Sequence, residues 1–123
     1  MKVELVLGII SLRLDNMNYL IYTTDSDRLP SCELGEPSNP IYNDLCSLLA
    51  SQVKINTDDS KFDLIDVKRD GDTVKLYYGI AIPNSLQLKT GKWNSIESII
   101  LGDNNEFSKL VQLISQKTKF YRY

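Results

Sequence analysis

Glu33, Glu36 and Asp44 are acids in and just after the polar loop that precedes an apolar run, and they are the candidates for a makeshift divalent-cation site. Hard cations such as Mg²⁺ take oxygen ligands, and three carboxylates could supply them if the loop folded back on the following helix. The plainer account of Glu36 is that it precedes a helix and favours its positive end, a surface effect of about 0.3–1 kcal/mol. The absence of histidine narrows the remaining chemistry. It removes Ser-His-Asp and Cys-His triads, imidazole metal ligands and the commonest general base. Catalysis would have to run on carboxylates, Lys, Tyr or Cys. Cys32 has glutamates nearby and no evident cation to lower its pKa, so a nucleophilic thiolate is not expected there.

Trp93 is the candidate ligand-binding residue, because a ring in the loop after Gly91-Lys92 could stack on a base. The competing account is a plug at the edge of the core beside a following helix, since Trp buries a large area. Tyr77 and Tyr78 point to opposite faces of one strand, so at most one is expected to line a cleft. Asp58 and Asp59 read as a solvated turn. The tail Lys117 to Tyr123 interleaves bases with aromatics as single-strand binders do, yet on an acidic protein it reads as a terminal strand or docked tail.

These residues need elements to position them. Lys2 to Leu14 carries apolar residues on both parities, the pattern of a strand buried on both faces. After a turn at Asp15-Asn16-Met17-Asn18, Tyr19 to Thr24 returns as an antiparallel partner. Residues 25–39 read as a loop. Asn39 as N-cap and Pro40 at the first helical position open a helix in which Ile41, Leu45, Leu48, Leu49 and Val53 form one stripe. The opposite face carries Asn43, Ser47, Ser51 and Lys54. Lys61 to Arg69 and Thr73 to Ile82 are strands joined at Asp70-Gly71, a strong hairpin signal. A loop with Trp93 and a short apolar stretch from Ile96 to Leu101 follow. Asp103 and Glu106 have the spacing of a capping box, and Phe107, Leu110, Val111 and Ile114 give a second helical stripe. This order predicts an α+β fold, a mixed sheet packed between helices, as one domain over residues 1–123.

Arg28-Leu29-Pro30-Ser31-Cys32-Glu33-Leu34-Gly35-Glu36-Pro37, with the helix after it, resembles the loop and helix of the Nudix hydrolases. Their signature is GX5EX7REUXEEXGU, with U aliphatic. The piece Glu33-Leu34-Gly35-Glu36 matches an E-x-G-E element, but Ser31-Cys32 replaces a Gly-Gly pair and the loop is shorter. Counting on from Glu36, the REUXEE positions fall on Asp44, Leu45, Cys46, Ser47, Leu48 and Leu49, and no acid lies between Ser47 and Thr57. In that family the helix glutamates coordinate divalent cations that bridge a substrate diphosphate and activate water. A Leu offers no oxygen ligand, so the resemblance is to a degenerate member with an eroded box and no usual metal site.

The chain has 123 residues, a net charge of −2, 42% hydrophobic and 24% charged residues, which fits a soluble globular protein and removes the basic field of a nucleic-acid binder. Two cysteines without a CxxC pattern point to a reduced state, and the apolar start of the chain is interrupted by Glu4. The expectation is a cytoplasmic protein with no membrane span. The reading that follows is a catalytically silent Nudix-fold protein, binding a nucleotide-like ligand or acting as a protein-interaction module, with a homodimer or protein partner and no cofactor. The alternative is an active hydrolase of nucleoside diphosphate derivatives, its Mg²⁺ held by Glu33, Glu36 and Asp44. A third possibility is a structural subunit of a larger, for instance viral, assembly.

Overall fold

The computed structural model describes residues 2–13, 18–34, 40–58, 60–83, 87–102 and 105–118. One mixed sheet organises them. Strand β1 (Lys2–Arg13) lies at its centre, parallel to β5 (Thr73–Pro83) from Lys2↔Thr73 to Leu12↔Pro83. On its other side β1 pairs antiparallel with β2 (Asn18–Thr23) near its end and with β3 (Ser31–Glu33) near its start. The sheet order is β4-β5-β1-β2-β6, with β4 (Asp63–Asp70) and β6 (Lys92–Ser95) at the edges. Among the described residues three helices flank it: α1 (Ile41–Gln52), α2 (Ile96–Leu101) and α3 (Glu106–Lys117). This is the mixed-sheet α+β architecture that the alternating and helical patterns predict.

The doubly apolar β1 divides the core in two. Leu5, Leu7 and Ile9 join Leu45, Leu48, Leu49, Val53, Ile80 and Ile82 on the α1 side. Val6 and Ile10 join Ile65, Tyr77, Ile96, Val111 and Ile114 on the side of α2 and α3. The predicted α1 stripe faces the sheet, and Asn43, Ser47, Ser51 and Lys54 are exposed as expected.

Several boundaries differ from the sequence expectation. The loop over 25–39 contains β3, three residues that complete their hydrogen bonds against β1, with Leu7 N–H donating to Pro30 O at 3.0 Å and Leu34 N–H to Val3 O at 2.8 Å. Pro40 is the N-cap of α1 rather than its first residue, because its φ of −60° is paired with an extended ψ of 142°. Trp93 lies in β6, where it pairs with Tyr22. The α3 capping box is formed by Asn105 and Ser108: Ser108 N–H donates to Asn105 Oδ1 at 2.9 Å and Asn105 N–H to Ser108 Oγ at 3.1 Å. Glu106 is therefore the first helical residue and has no return role. Asn39, Asp103, Asp59, the turn Asp15 to Met17 and the tail from Lys119 lie outside the described residues.

At Asp70-Gly71 the hairpin forms as expected, Gly71 taking a φ of +59° that favours glycine. The β4 edge is blunted. A bulge falls between Leu64 and Asp66, the Val67 N–H donates to Asp66 Oδ1 at 2.9 Å, and Lys117 Nζ donates to Ile65 O at 3.3 Å. Such devices discourage strand addition.

Candidate functional site: a cleft between the sheet and α3

Side chains alternate across a sheet, and partners in adjacent strands share a face. The β1 register therefore sets Ser31, Val6 and Tyr77 in one row on the α3 side, and Glu33, Glu4, Lys75 and Lys68 in the next. The second row runs from acidic at β3 to basic at β5 and β4. Phe107 and Leu110 on the first turns of α3, with Asp27, Arg28 and Leu29 from the segment after β2, wall Ser31, Val6, Tyr77, Glu4 and Lys75 of these rows into an open cleft of about 250 Å³, and Glu33 and Lys68 end the second row outside its lining.

The floor is apolar, formed by buried Val6, Leu29 and Tyr77, and Phe107 stands half-buried at the wall. Lys68 Nζ lies 5.7 Å above the centre of the Tyr77 ring, a cation over an aromatic face. Arg28 is exposed and Lys75 half-buried. Of the acids, Asp27 is held by Lys92 Nζ at 2.7 Å, and Glu33 faces Lys2 Nζ at 3.8 Å with both side chains largely in solvent. Ligand pockets typically span ~300–1,000 Å³, so this cleft suits part of a nucleotide-sized ligand, a ring on the apolar floor and anionic groups at the cations.

The three candidate cation ligands are not gathered by the described structure. Glu33 shares the α3 face with its partner Glu4, whereas Asp44, half-buried in the first turn of α1, approaches β3 from the other face, where Cys32 packs against the α1-side core. Glu36 lies outside the described residues. Beyond Asp44, α1 turns buried Leu45, Leu48 and Leu49 towards the sheet and has no further carboxylate. Among the described residues, no three of His, Cys, Asp or Glu come together as a metal-binding group. Burial, with the Asp44 and Glu4 carboxylates adding to it, pushes the Cys32 thiol above its ordinary pKa. It stays protonated at neutral pH, the opposite of an activated nucleophile.

Trp93 does not line this cleft. It sits half-buried on the α1 side, edge-on to the fully buried Tyr22 with ring centres 6.3 Å apart at 84°. Tyr22 O–H in turn donates to Gln52 Oε1 at 2.5 Å, tying β2 to the end of α1. Gly91, at φ +76°, lies so close to Tyr22 and Thr23 O that a Cβ would collide with both. Tyr77 and Tyr78 correct the expectation that only one of them meets a cleft. Tyr77 floors the α3-side cleft, while Tyr78, with Ile41, Tyr42, Leu45 and Phe62, lines an open groove of about 420 Å³ on the α1 side. Both faces of β5 reach past their covering helices, which the alternation of one strand cannot reveal. Arg28, Lys75, Lys68 and Phe107 do not stand out in the sequence, since they come together only through the β1–β3, β1–β5 and β4–β5 pairings and the seat of α3.

No protein-family model and no curated protein sequence matches this chain. Solved structures do. A protein assigned as a NUDIX hydrolase from Listeria monocytogenes aligns with a TM-score of 0.67 at 13% identity, over 95% of this chain and 92% of that one. The NUDIX domain of Shewanella oneidensis NrtR, solved with ADP ribose, gives 0.66 at 10% identity, over 93% and 86%. The C-terminal domain of mouse MUTYH, solved in complex with human PCNA, gives 0.62 at 12% identity, over 94% and 88%. Against a MutT/nudix family protein from Enterococcus faecalis the TM-score is 0.60 at 10% identity, and this chain spans only 43% of that protein's length. Identities this low speak to architecture alone, and the architecture of this chain is Nudix-like.

Proposed function

We propose that this chain is a catalytically silent protein of Nudix-like fold that holds a nucleotide-like ligand in the cleft between the sheet and α3. The observation that carries the reading is the union of ring and cation there: Tyr77 and Phe107 offer apolar surface to a base, with Arg28, Lys75 and Lys68 beside them. The complex of the NrtR NUDIX domain with ADP ribose supports the ligand class. Silence is supported by the donor chemistry of α1, whose sheet-facing positions are leucines, and by the separation of Glu33 from Asp44 across β3. A hydrolytic Nudix mechanism needs carboxylates that hold cations against the diphosphate, and the described residues do not fit that group.

Two measurements test the reading together. Millimolar Mg²⁺ or Mn²⁺ alone should leave the melting temperature unchanged, whereas a ligand at 100 times its Kd stabilises a native state by about 2.7 kcal/mol. A panel of dinucleoside polyphosphates, nucleotide sugars and nucleoside triphosphates should release neither phosphate nor nucleoside monophosphate. Mg²⁺-dependent turnover that disappears in Glu33→Gln or Glu36→Gln would sink the silent reading and install the active hydrolase in its place.

A second reading, as a protein-interaction module, rests on a different observation. Leu64 and Val67 are 55% and 51% exposed on β4, opposite Tyr78 and Leu76 on the α1 side of the sheet. With its backbone edge blunted, β4 would meet a partner or a second copy through these side chains. Sedimentation at micromolar concentration should then show a dimer that Leu64→Asp dissociates; a monomer whose profile the substitution leaves unchanged would remove the homodimer.

A further inference from the structure

Resting on the ligand reading above, we propose that Arg28 and Lys75 take the role that divalent cations fill in metal-dependent members of this fold, so that the ligand's diphosphate is bound directly and without metal. The donor set does not suit a cation. Glu33 of β3 and Asp44 of α1 lie on opposite faces of the sheet, and the exposed Glu33 carboxylate faces the Lys2 ammonium at 3.8 Å. The cations of the cleft have the complementary arrangement. Lys75 lies beside Lys68 in the β4–β5 register, and Arg28 rises from the opposite wall. A guanidinium binds two phosphate oxygens at once through its planar fork, and an ammonium serves as a compact point charge beside it.

The acids near this group come from several walls, and Asp66 lies opposite Tyr77 in the β4–β5 register, two residues from Lys68. Asp27 is paired with Lys92 at 2.7 Å, and Glu4 lies between Glu33 and Lys75 at the acidic end of its row. An anion in the cleft is therefore met from both sides, by Lys75 of β5 and by Arg28 from the segment before β3. The ligand class that follows is a nucleoside diphosphate or a sugar ester of one, its ring on the Tyr77 floor and its phosphates at Arg28 and Lys75. A neutral nucleoside should bind the same floor more weakly.

Calorimetric titration of ADP and of adenosine into the whole chain, once in EDTA and once in millimolar Mg²⁺, tests this. ADP affinity should agree within about twofold between the two buffers, and should weaken at least tenfold in Arg28→Gln and in Lys75→Gln while adenosine affinity is unmoved. Both substitutions sit on exposed or half-exposed positions, and an unchanged melting curve for each confirms that folding is intact. ADP binding that requires Mg²⁺ and is lost in Glu4→Gln or Glu33→Gln would overturn direct recognition while leaving the cleft reading in place. If neither ADP nor adenosine binds in either buffer, both readings fall.

Discussion

Replacing Leu49 with Ala is expected to cost about 2–5 kcal/mol of folding stability, the range for deleting a buried leucine side chain where the surroundings cannot fully collapse. Leu49 is fully buried, and its cluster contains Leu5, Leu7 and Ile9 of β1 together with Ile80 and Ile82 of β5. Those two strands are the parallel centre of the sheet, hydrogen-bonded along their whole length, so they are poorly able to move into a void. The same helix turn carries the end of the element, since Val53 N–H donates to Leu49 O at 3.0 Å. Just past it, Lys89 N–H donates to Gln52 O and Lys54 N–H to Gln87 O, both at 2.8 Å, pinning the helix end to the segment before β6. Chemical denaturation should show the loss as a lower midpoint with an unchanged slope. A midpoint equal to that of the parent would mean that α1 presents another face to the sheet.

That prediction follows from sequence almost directly, because the period of Leu45, Leu48, Leu49 and Val53 admits one buried stripe and the doubly apolar β1 admits a sheet with helices on both sides. Burial of a periodic face is a local property, written in spacing. Where pairing is decided by a distant partner, sequence is silent. Ser31-Cys32-Glu33 is too short to show an alternation, and it is a strand only because β1 offers the start of its edge to it. The move of the α3 cap from Asp103 to Asn105 has another cause. Ser108 serves as the reciprocal partner of Asn105 as well as a Glu would, and several polar residues in a row leave the start of the helix undetermined. The cleft is the extreme case. Arg28, Lys75, Lys68 and Phe107 come from four separate segments, and Glu33 and Asp44 are divided between two faces of the sheet.

Trp93 and Phe107 separate these two kinds of information experimentally. Trp93→Ala should destabilise the fold by an amount towards the lower end of the ~3–5 kcal/mol seen for buried Trp or Phe truncation, because the ring is only half-buried. It removes the edge-on partner of Tyr22, whose hydroxyl holds Gln52, so the damage spreads to the contact between β2 and α1. ADP affinity, measured well below the melting transition, should stay within about twofold of the parent, since the indole lies on the face away from the cleft. Phe107→Leu should do the reverse. It keeps apolar volume against the α3-side core, a swap that usually costs under about 1.5 kcal/mol, and removes the ring that a base would meet. Aromatic contacts to a base are worth about 1–3 kcal/mol, so a tenfold loss of ADP affinity is the central expectation. If instead Trp93→Ala abolished binding with the melting curve intact, and Phe107→Leu left affinity unchanged, the ligand would sit on the α1 side, beneath the ring that the sequence first singled out.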